Sequence, residues 1–205
     1  MTTPQVSKEA YALGSYGFEG RFISYFHQLK LVLGTHPESV LEVGVGDRVF
    51  GDFILNNTGI KYTSVDIAED LRPDVIGDVT ALPFPDKSFD VVCAFEVLEH
   101  LPFEKFDTAL SELARVAKSN VVLSLPHFGP MFSFSFKIPF VPEVRFAIKI
   151  PFYKKHTFNG QHYWEIGKRG YSPHAVRSHI ARIGTIVKEF VPWGSAYHHF
   201  YRIDV

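Results

Sequence analysis

The sequence predicts an α/β protein built on a parallel sheet, on three observations. Short β-rich runs alternate with helical patterns. Those runs are continuously apolar rather than strictly alternating, as strands covered on both faces are. A glycine-rich turn follows the first of them, and a strand leading through glycines into a helix lets backbone approach a ligand closely. Ligands of such sheets sit beyond the carboxyl ends of the strands, so function is sought in the loops after Val43, Val65, Ile76, Phe95 and Leu125.

The elements follow in order. "FEGRFISYFHQLKLVLGTHPES" sets Phe22, Tyr25, Leu29 and Val32 at three- and four-residue intervals, predicting a leading helix over 16–34 with Gly34 as its stop. "SVLEV", "KYTSVD", "DVIGD", "FDVVCAF" and "NVVLSLP" read as strands. Between the last two, "PFEKFDTALSELARVAKSN" places Phe106, Leu110, Leu113 and Val116 on one stripe and its charges opposite, as a crossover helix does. Residues 128–160 break the rhythm with Pro130, Pro139, Pro142 and Pro151, which forbid a long helix; the stretch reads as a cap inserted in a single domain spanning 1–205. "SPHAVRSHIARIG" restores a helix with Ser172 as N-cap, Pro173 at its first position and Gly184 as stop. Two closing strands follow in "TIVKEFV" and "HHFYRIDV", the second turning His198 and His199 to opposite faces.

Composition narrows the function classes. The chain has 205 residues, 46% of them hydrophobic, which is ample for a full core. A formal charge of −1 gives no general pull toward nucleic acid. The single cysteine, Cys93, lies in an apolar run and suits a reducing compartment; with no leader or transmembrane pattern, a cytoplasmic location is expected.

In "VLEVGVGDRVFG" the dinucleotide frame G-x-G-x-x-G would need Gly44, Gly46 and a glycine where Val49 stands, so the NAD reading loses ground. Glu42 puts a carboxylate where the loop begins, suited to a cofactor with a cationic end. Asp66 closes the next strand, where a carboxylate accepts ribose hydroxyls, and Asp78 ends the third run. Three acids at successive strand ends repel a pyrophosphate and tolerate an adenosine carrying an amino acid. Either acid also serves as a turn cap.

"VLEVGVG", "SVDIAED", "GDVTALPFPDKSFDVV" and "FEVLEHL" together resemble the successive motifs of class I S-adenosylmethionine-dependent methyltransferases of the type 11 small-molecule group, over roughly residues 39–126. The resemblance implies a doubly wound, Rossmann-like sheet of seven strands, the last antiparallel, with S-adenosylmethionine as cofactor and a small-molecule acceptor; an apolar or lipid-linked one is the acceptor class considered. It implies that Glu42, Gly44 and Gly46 line the methionine part and that Asp66 and the adjoining Ile67 hold the ribose. Asp78 and Val79 would then flank the adenine, and Phe95 would border the sulfonium. Arg48 departs from the family pattern, which expects glycine there; it reads as a loop arginine near the cofactor carboxylate or as a solvent-facing one.

A sulfonium methyl is already activated, so alignment and exclusion of water are the main tasks, and a base is needed only where the acceptor must lose a proton. His100, His127 and His162 are the candidates for that base. "EVLEH" also resembles the E-x-x-E-H motif of metal-assisted RNA and quinone O-methyltransferases; Glu96, Glu99 and His100 would share a helix face, with His162 closing the set, although the primary assignment carries no metal. A cofactor-binding scaffold without catalysis is the competing class. The mixture of aromatics and Lys or Arg over 132–158 fits an apolar acceptor, peripheral contact with an anionic membrane, or packing of an extra layer.

Overall fold

The apolar runs become strands with both faces covered, which is why they do not alternate. The computed structural model describes Tyr11 and residues 19–205. Its strands are β1 (Ser39–Val43), β2 (Lys61–Asp66), β3 (Val75–Ile76), β4 (Phe89–Phe95), β5 (Ala117–Pro126), β6 (Met131–Phe136), β7 (Val144–Lys149), β8 (Thr185–Phe190) and β9 (His198–Asp204). The helices are α1 (Glu19–Leu33), α2 (Val49–Asn57), α3 (Phe106–Val116) and α4 (Pro173–Ile180). Seven strands form one sheet in the order β3-β2-β1-β4-β5-β9-β8. The first five pair in parallel, and β9 runs antiparallel to both β5 and β8. The order reverses at β1, and β1 and β4 are neighbours there, so a crevice opens at their carboxyl ends.

Alternate residues of one strand feed two cores. Val92 and Ala94 of β4 join Leu41, Val43, Leu123, Tyr201 and the α3 stripe on one face. Val91 and Cys93 join Val40, Val122, Phe200, Leu31, Phe50 and Ile54 on the other, so Cys93 is fully buried. All four predicted stripe residues of α3 are buried.

Several boundaries differ from expectation. Of the predicted leading helix, positions 16–18 lie outside the described residues. Phe22, read as part of its buried stripe, is 57% exposed; the buried face is Arg21, Ser24, Tyr25, Gln28, Leu31 and Val32, half of it polar. The polar end of this face meets the functional edge of the sheet rather than apolar core, which is why hydrophobicity alone misplaced the stripe. The third run shrinks to two residues, because Asp74 turns back to accept from the Ser64 amide (2.8 Å) and hydroxyl (2.7 Å). Residues 117–119, read as the end of the crossover helix, already belong to β5. Gly184 is not the stop of α4: the helix ends at Ile180, and its terminal carbonyls are taken by amides of the turn that follows, such as Ala181 to Arg177 at 2.9 Å.

The insertion after β5 forms a separate two-stranded antiparallel hairpin, β6–β7. The chain then returns beside the end of β5, with the Phe128 amide bonded to the Ile166 carbonyl at 2.8 Å and Ile166 to Pro126 at 2.9 Å. This return brings residues 160–166 to the mouth of the crevice. Among the described residues, no helix is long and apolar enough to cross a membrane.

Candidate active site

The β1–α2 loop is shaped by backbone conformations that glycine adopts freely. Gly44 has φ +83° and Gly46 φ +50°. A Cβ on Gly44 would lie 2.3 Å from Val97 Cγ2, so glycine lets the loop close onto the segment that follows β4. The Tyr11 ring stands over Gly46, and with Asp47, Arg48, Asp70, Leu71 and Arg72 it lines an open cleft of about 590 Å³.

Arg48 occupies the N-cap of α2 at φ 66°, the left-handed region, which accounts for glycine in the family pattern at this position. Its guanidinium donates to the Arg72 carbonyl at 2.7 Å and to that of Leu71 at 3.4 Å, and lies 3.7 Å from Asp52. Neither sequence reading of Arg48 describes it fully: the side chain ties the loop to residues 71–72 across the cleft.

The strand-end acids are anchored in the backbone. Asp66 accepts from the Val45 amide with one oxygen and from the Ala68 amide with the other, both at 2.8 Å, joining the glycine loop to the turn after β2. Burial holds its pKa above the ordinary value against those two bonds. Ile67 is half-buried beside it. Asp78 accepts from the Thr80 amide (2.9 Å) and hydroxyl (2.8 Å), and Val79 is buried in the main core. Each acid thus acts as the turn cap that its residue type suggested; each carboxylate oxygen keeps further lone-pair capacity for a ligand. Glu42 is buried and accepts a hydrogen bond from the Tyr62 hydroxyl; burial pushes its pKa up to about 8. Phe95 is half-buried, with its ring edge-on to Phe50 at 5.3 Å.

The chemistry-bearing side chains gather beyond β4. Glu96 has φ 55° and accepts from the Ser124 hydroxyl at 2.9 Å. Residues 98–100 form one 3₁₀ turn, so Glu96, Glu99 and His100 do not share an α-helical face as expected. The fully buried Glu99 has no hydrogen-bond partner on either carboxylate oxygen among the described residues. Burial, with the Glu96 charge nearby, holds its pKa well above the ordinary carboxylate range. His100 Nδ1 lies 3.1 Å from the Gln161 carbonyl, and its ring centroid is 5.0 Å from that of His162. Burial, reinforced by His162, lowers the His100 pKa to about 4. His162 Nδ1 lies 3.1 Å from Glu165 Oε1 and 3.3 Å from the Tyr197 hydroxyl. Burial acts to raise the Glu165 pKa, but the His162 contact and nearby positive groups hold it below the ordinary value. Glu99, His100 and His162 can each offer a ligand atom within 4.8 Å of the others.

His127 is not part of this cluster. Its ring stacks on His199, the two Nδ1 atoms 3.0 Å apart, and His199 Nε2 reaches Glu189 at 3.3 Å. Burial and His199 drop the His127 pKa to about 3.

Sequence reading missed Arg21, Glu165 and Tyr197. Arg21 is buried on α1, and its positive charge acts on Glu96, Glu99, Tyr197 and His198. A polar residue inside an otherwise amphipathic helix on the functional side was the available signal. A Cβ on Gly44 would meet Val97, so the glycine loop lies against the segment that carries Glu96 and Glu99.

Residues 41–125 match the sequence profile of a family described as "Methyltransferase domain". No curated protein sequence matches the chain. Among solved structures, the PH0226 protein of Pyrococcus horikoshii OT3 is 16% identical, with a TM-score of 0.61 over 97% of this chain and 99% of that one. The N-methyltransferase NodS of Bradyrhizobium japonicum WM9, solved with S-adenosyl-L-homocysteine, is 11% identical, with a TM-score of 0.61 over 92% of this chain and 88% of that one. The 1,6-didemethyltoxoflavin-N1-methyltransferase of Burkholderia thailandensis, solved with bound 1,6-didemethyltoxoflavin and S-adenosylhomocysteine, is 16% identical, with a TM-score of 0.59 over 100% of this chain and 92% of that one. At these identities the likeness speaks to the fold, which is the class I methyltransferase architecture.

Proposed function

We propose that this chain, a class I methyltransferase in fold with a methyltransferase domain over residues 41–125, moves the methyl group of S-adenosylmethionine to a small-molecule acceptor. The observation that carries the reading is the approach of the glycine loop, at Gly44, to the segment after β4 that holds the carboxylate–histidine cluster. The cofactor fits the residues present. Gly44 and Gly46 keep the loop free of side chains at its amino-acid part, Asp66 retains lone pairs for ribose hydroxyls, and Asp78 with Val79 would lie toward the adenine. When bound, it supplies an electrophilic methyl that needs no further activation.

The chain's own residues position and deprotonate the acceptor. Glu165 holds His162 through Nδ1, which fixes the tautomer with Nε2 as the proton acceptor. His100 donates through Nδ1 to the Gln161 carbonyl, and its lowered pKa keeps it neutral. Calorimetry should show binding of both S-adenosylmethionine and S-adenosylhomocysteine, weakened at least about tenfold in Asp66→Asn; no binding of either overturns the reading. In a radiolabelled methyl-transfer assay on small-molecule fractions, His162→Gln should keep cofactor affinity and lose on the order of a hundredfold in turnover. Cofactor binding with no transfer to any fraction would leave a cofactor-binding scaffold in its place.

The unpartnered Glu99 carboxylate beside two imidazoles favours one second reading, a divalent transition metal held by Glu99, His100 and His162 that would polarise the acceptor oxygen. Glu96 is outside that ligand set. Elemental analysis of the purified protein decides: near-stoichiometric metal, lost in His162→Ala, supports it, and its absence after metal loading removes it.

A further inference from the structure

The β6–β7 hairpin is amphipathic in the wrong sense for a protein in water. Its register pairs Phe132 with Ile148, Phe134 with Phe146 and Phe136 with Val144, so these six side chains share one face. All six are between 43% and 60% exposed. The opposite face carries Arg145 and Lys149, and these polar residues hold the hairpin to the body. Lys149 Nζ donates to the carbonyls of His127 (2.7 Å), Gly129 (2.6 Å) and Ala196 (2.9 Å), and Arg145 lies over the Trp193 ring at 4.8 Å while pairing with Glu143. The polar side is therefore turned to the protein and the apolar side to solvent. At the tip, Ile138, Phe140 and Val141 are exposed, Phe140 completely, and the exit segment adds Ile150, Phe152 and Tyr153.

A contiguous apolar face of this kind marks a docking surface. Three features identify its occupant. Lys137 at the tip and Lys154 and Lys155 on the exit segment are exposed, and Glu143, the one acid of the stretch, is already paired with Arg145. Aromatic side chains beside lysines are the composition that enters the boundary between lipid headgroups and acyl chains, where the lysine stems reach back to anionic headgroups. A second copy of this chain is a poorer fit, because a two-fold contact of like faces would set these lysines against their own counterparts. We propose that the β6–β7 hairpin is a membrane-docking element that inserts its Phe132–Phe136 and Val144–Ile148 face into an anionic lipid surface. Since the hairpin leaves directly from the end of β5, docking sets the crevice mouth at the bilayer, where an apolar acceptor would be dissolved.

Co-sedimentation of the full chain with vesicles tests this without reference to methyl transfer, so its failure and the failure of the proposed activity are distinguishable. The protein should bind vesicles of phosphatidylcholine mixed with phosphatidylglycerol, and partition much more weakly onto phosphatidylcholine alone. Lys154→Glu with Lys155→Glu should weaken partitioning on the order of tenfold or more, as should raised salt. Phe134→Ser with Phe140→Ser should abolish it while melting temperature and cofactor affinity stay at wild-type values, since neither ring is in a core. No binding to the anionic vesicles, equal binding to both lipid compositions, or binding insensitive to the phenylalanine pair overturns the proposal. A dimer in light scattering that the phenylalanine pair dissolves, with no vesicle binding, would instead assign the face to a second copy.

Discussion

Arg48 shows how one residue can leave a family pattern and keep the loop. Its left-handed conformation costs an L-residue on the order of 1–2 kcal/mol, and its side chain offsets part of that by bonding to the Arg72 carbonyl. Two substitutions separate the terms. Arg48→Gly removes strain and bond together and should be neutral, or stabilising by up to ~1 kcal/mol; Arg48→Ala keeps the strain and loses the bond, and should be destabilised by about 1 kcal/mol. Urea unfolding of the two variants checks this, and an alanine variant more stable than the glycine one would refute the strain account. The acids of the site were legible as residue types at strand ends, because a sheet fixes where strand-end side chains lie. Arg21 is signalled only as a polar residue inside an amphipathic helix; Glu165 and Tyr197 are not legible, because nothing local predicts that the chain after the hairpin returns to place Glu165 on His162 and Tyr197 beside it. Phe95 and Val79 are marked by the same motifs, yet their rings and methyls serve the cores, so a motif position fixes backbone more firmly than the direction of a side chain.

At the scale of elements, legibility tracks how many independent signals agree. β1, β2 and β4 match the apolar runs residue for residue, and α3 buries each stripe residue, since continuous apolarity and helical period each report burial directly. The α4 start agrees on three counts: Ser172 Oγ accepts from the Ala175 amide at 3.1 Å, its backbone is extended, and Pro173 follows. Ser172→Ala should therefore cost about 1 kcal/mol in denaturant unfolding, and Ser172→Gly only a few tenths, glycine being a tolerated cap; equal costs would show that the hydroxyl contributes little. Where one signal stood alone it misled. Gly184 suggested a stop, but the helix yields four residues earlier to the turn that feeds β8. Over 128–160 the prolines exclude a helix, and the hairpin strand is marked only by the short alternation in "FSFSF", which the composition of the stretch masks.

The whole molecule buries two opposed sets of titratable groups, and their balance sets how its stability depends on pH. Burial raises the pKa of Glu42 to about 8 and also raises those of Glu96 and Glu99. Between about 4.5 and the folded value, the unfolded chain has released protons that the folded chain keeps, so each rise in pH destabilises the fold, by ~1.4 kcal/mol per unit and group. Burial lowers His100 to about 4 and His127 and His198 to about 3. Between about 6.5 and those values the unfolded chain binds protons that the folded chain refuses, so each fall in pH destabilises it by a similar amount. These carboxyls and imidazoles, with Asp66 raised and His27 lowered in the same senses, act against each other between about 4.5 and 6.5. Above 6.5 the raised carboxyls dominate; below 4.5 the histidines do, joined by carboxyls that the fold holds below their ordinary value, such as Glu165 and Glu189. The urea midpoint should therefore be nearly flat from about pH 4.5 to 6.5, falling on both sides and already lower at pH 8 than at pH 6. Glu42→Gln, which keeps an oxygen to accept from Tyr62, should flatten the upper fall while leaving the lower one in place. A midpoint that climbs steadily from pH 5 to pH 8 would show that these carboxyls ionise within the fold, with Arg21 and Tyr62 stabilising their charges more than burial opposes them.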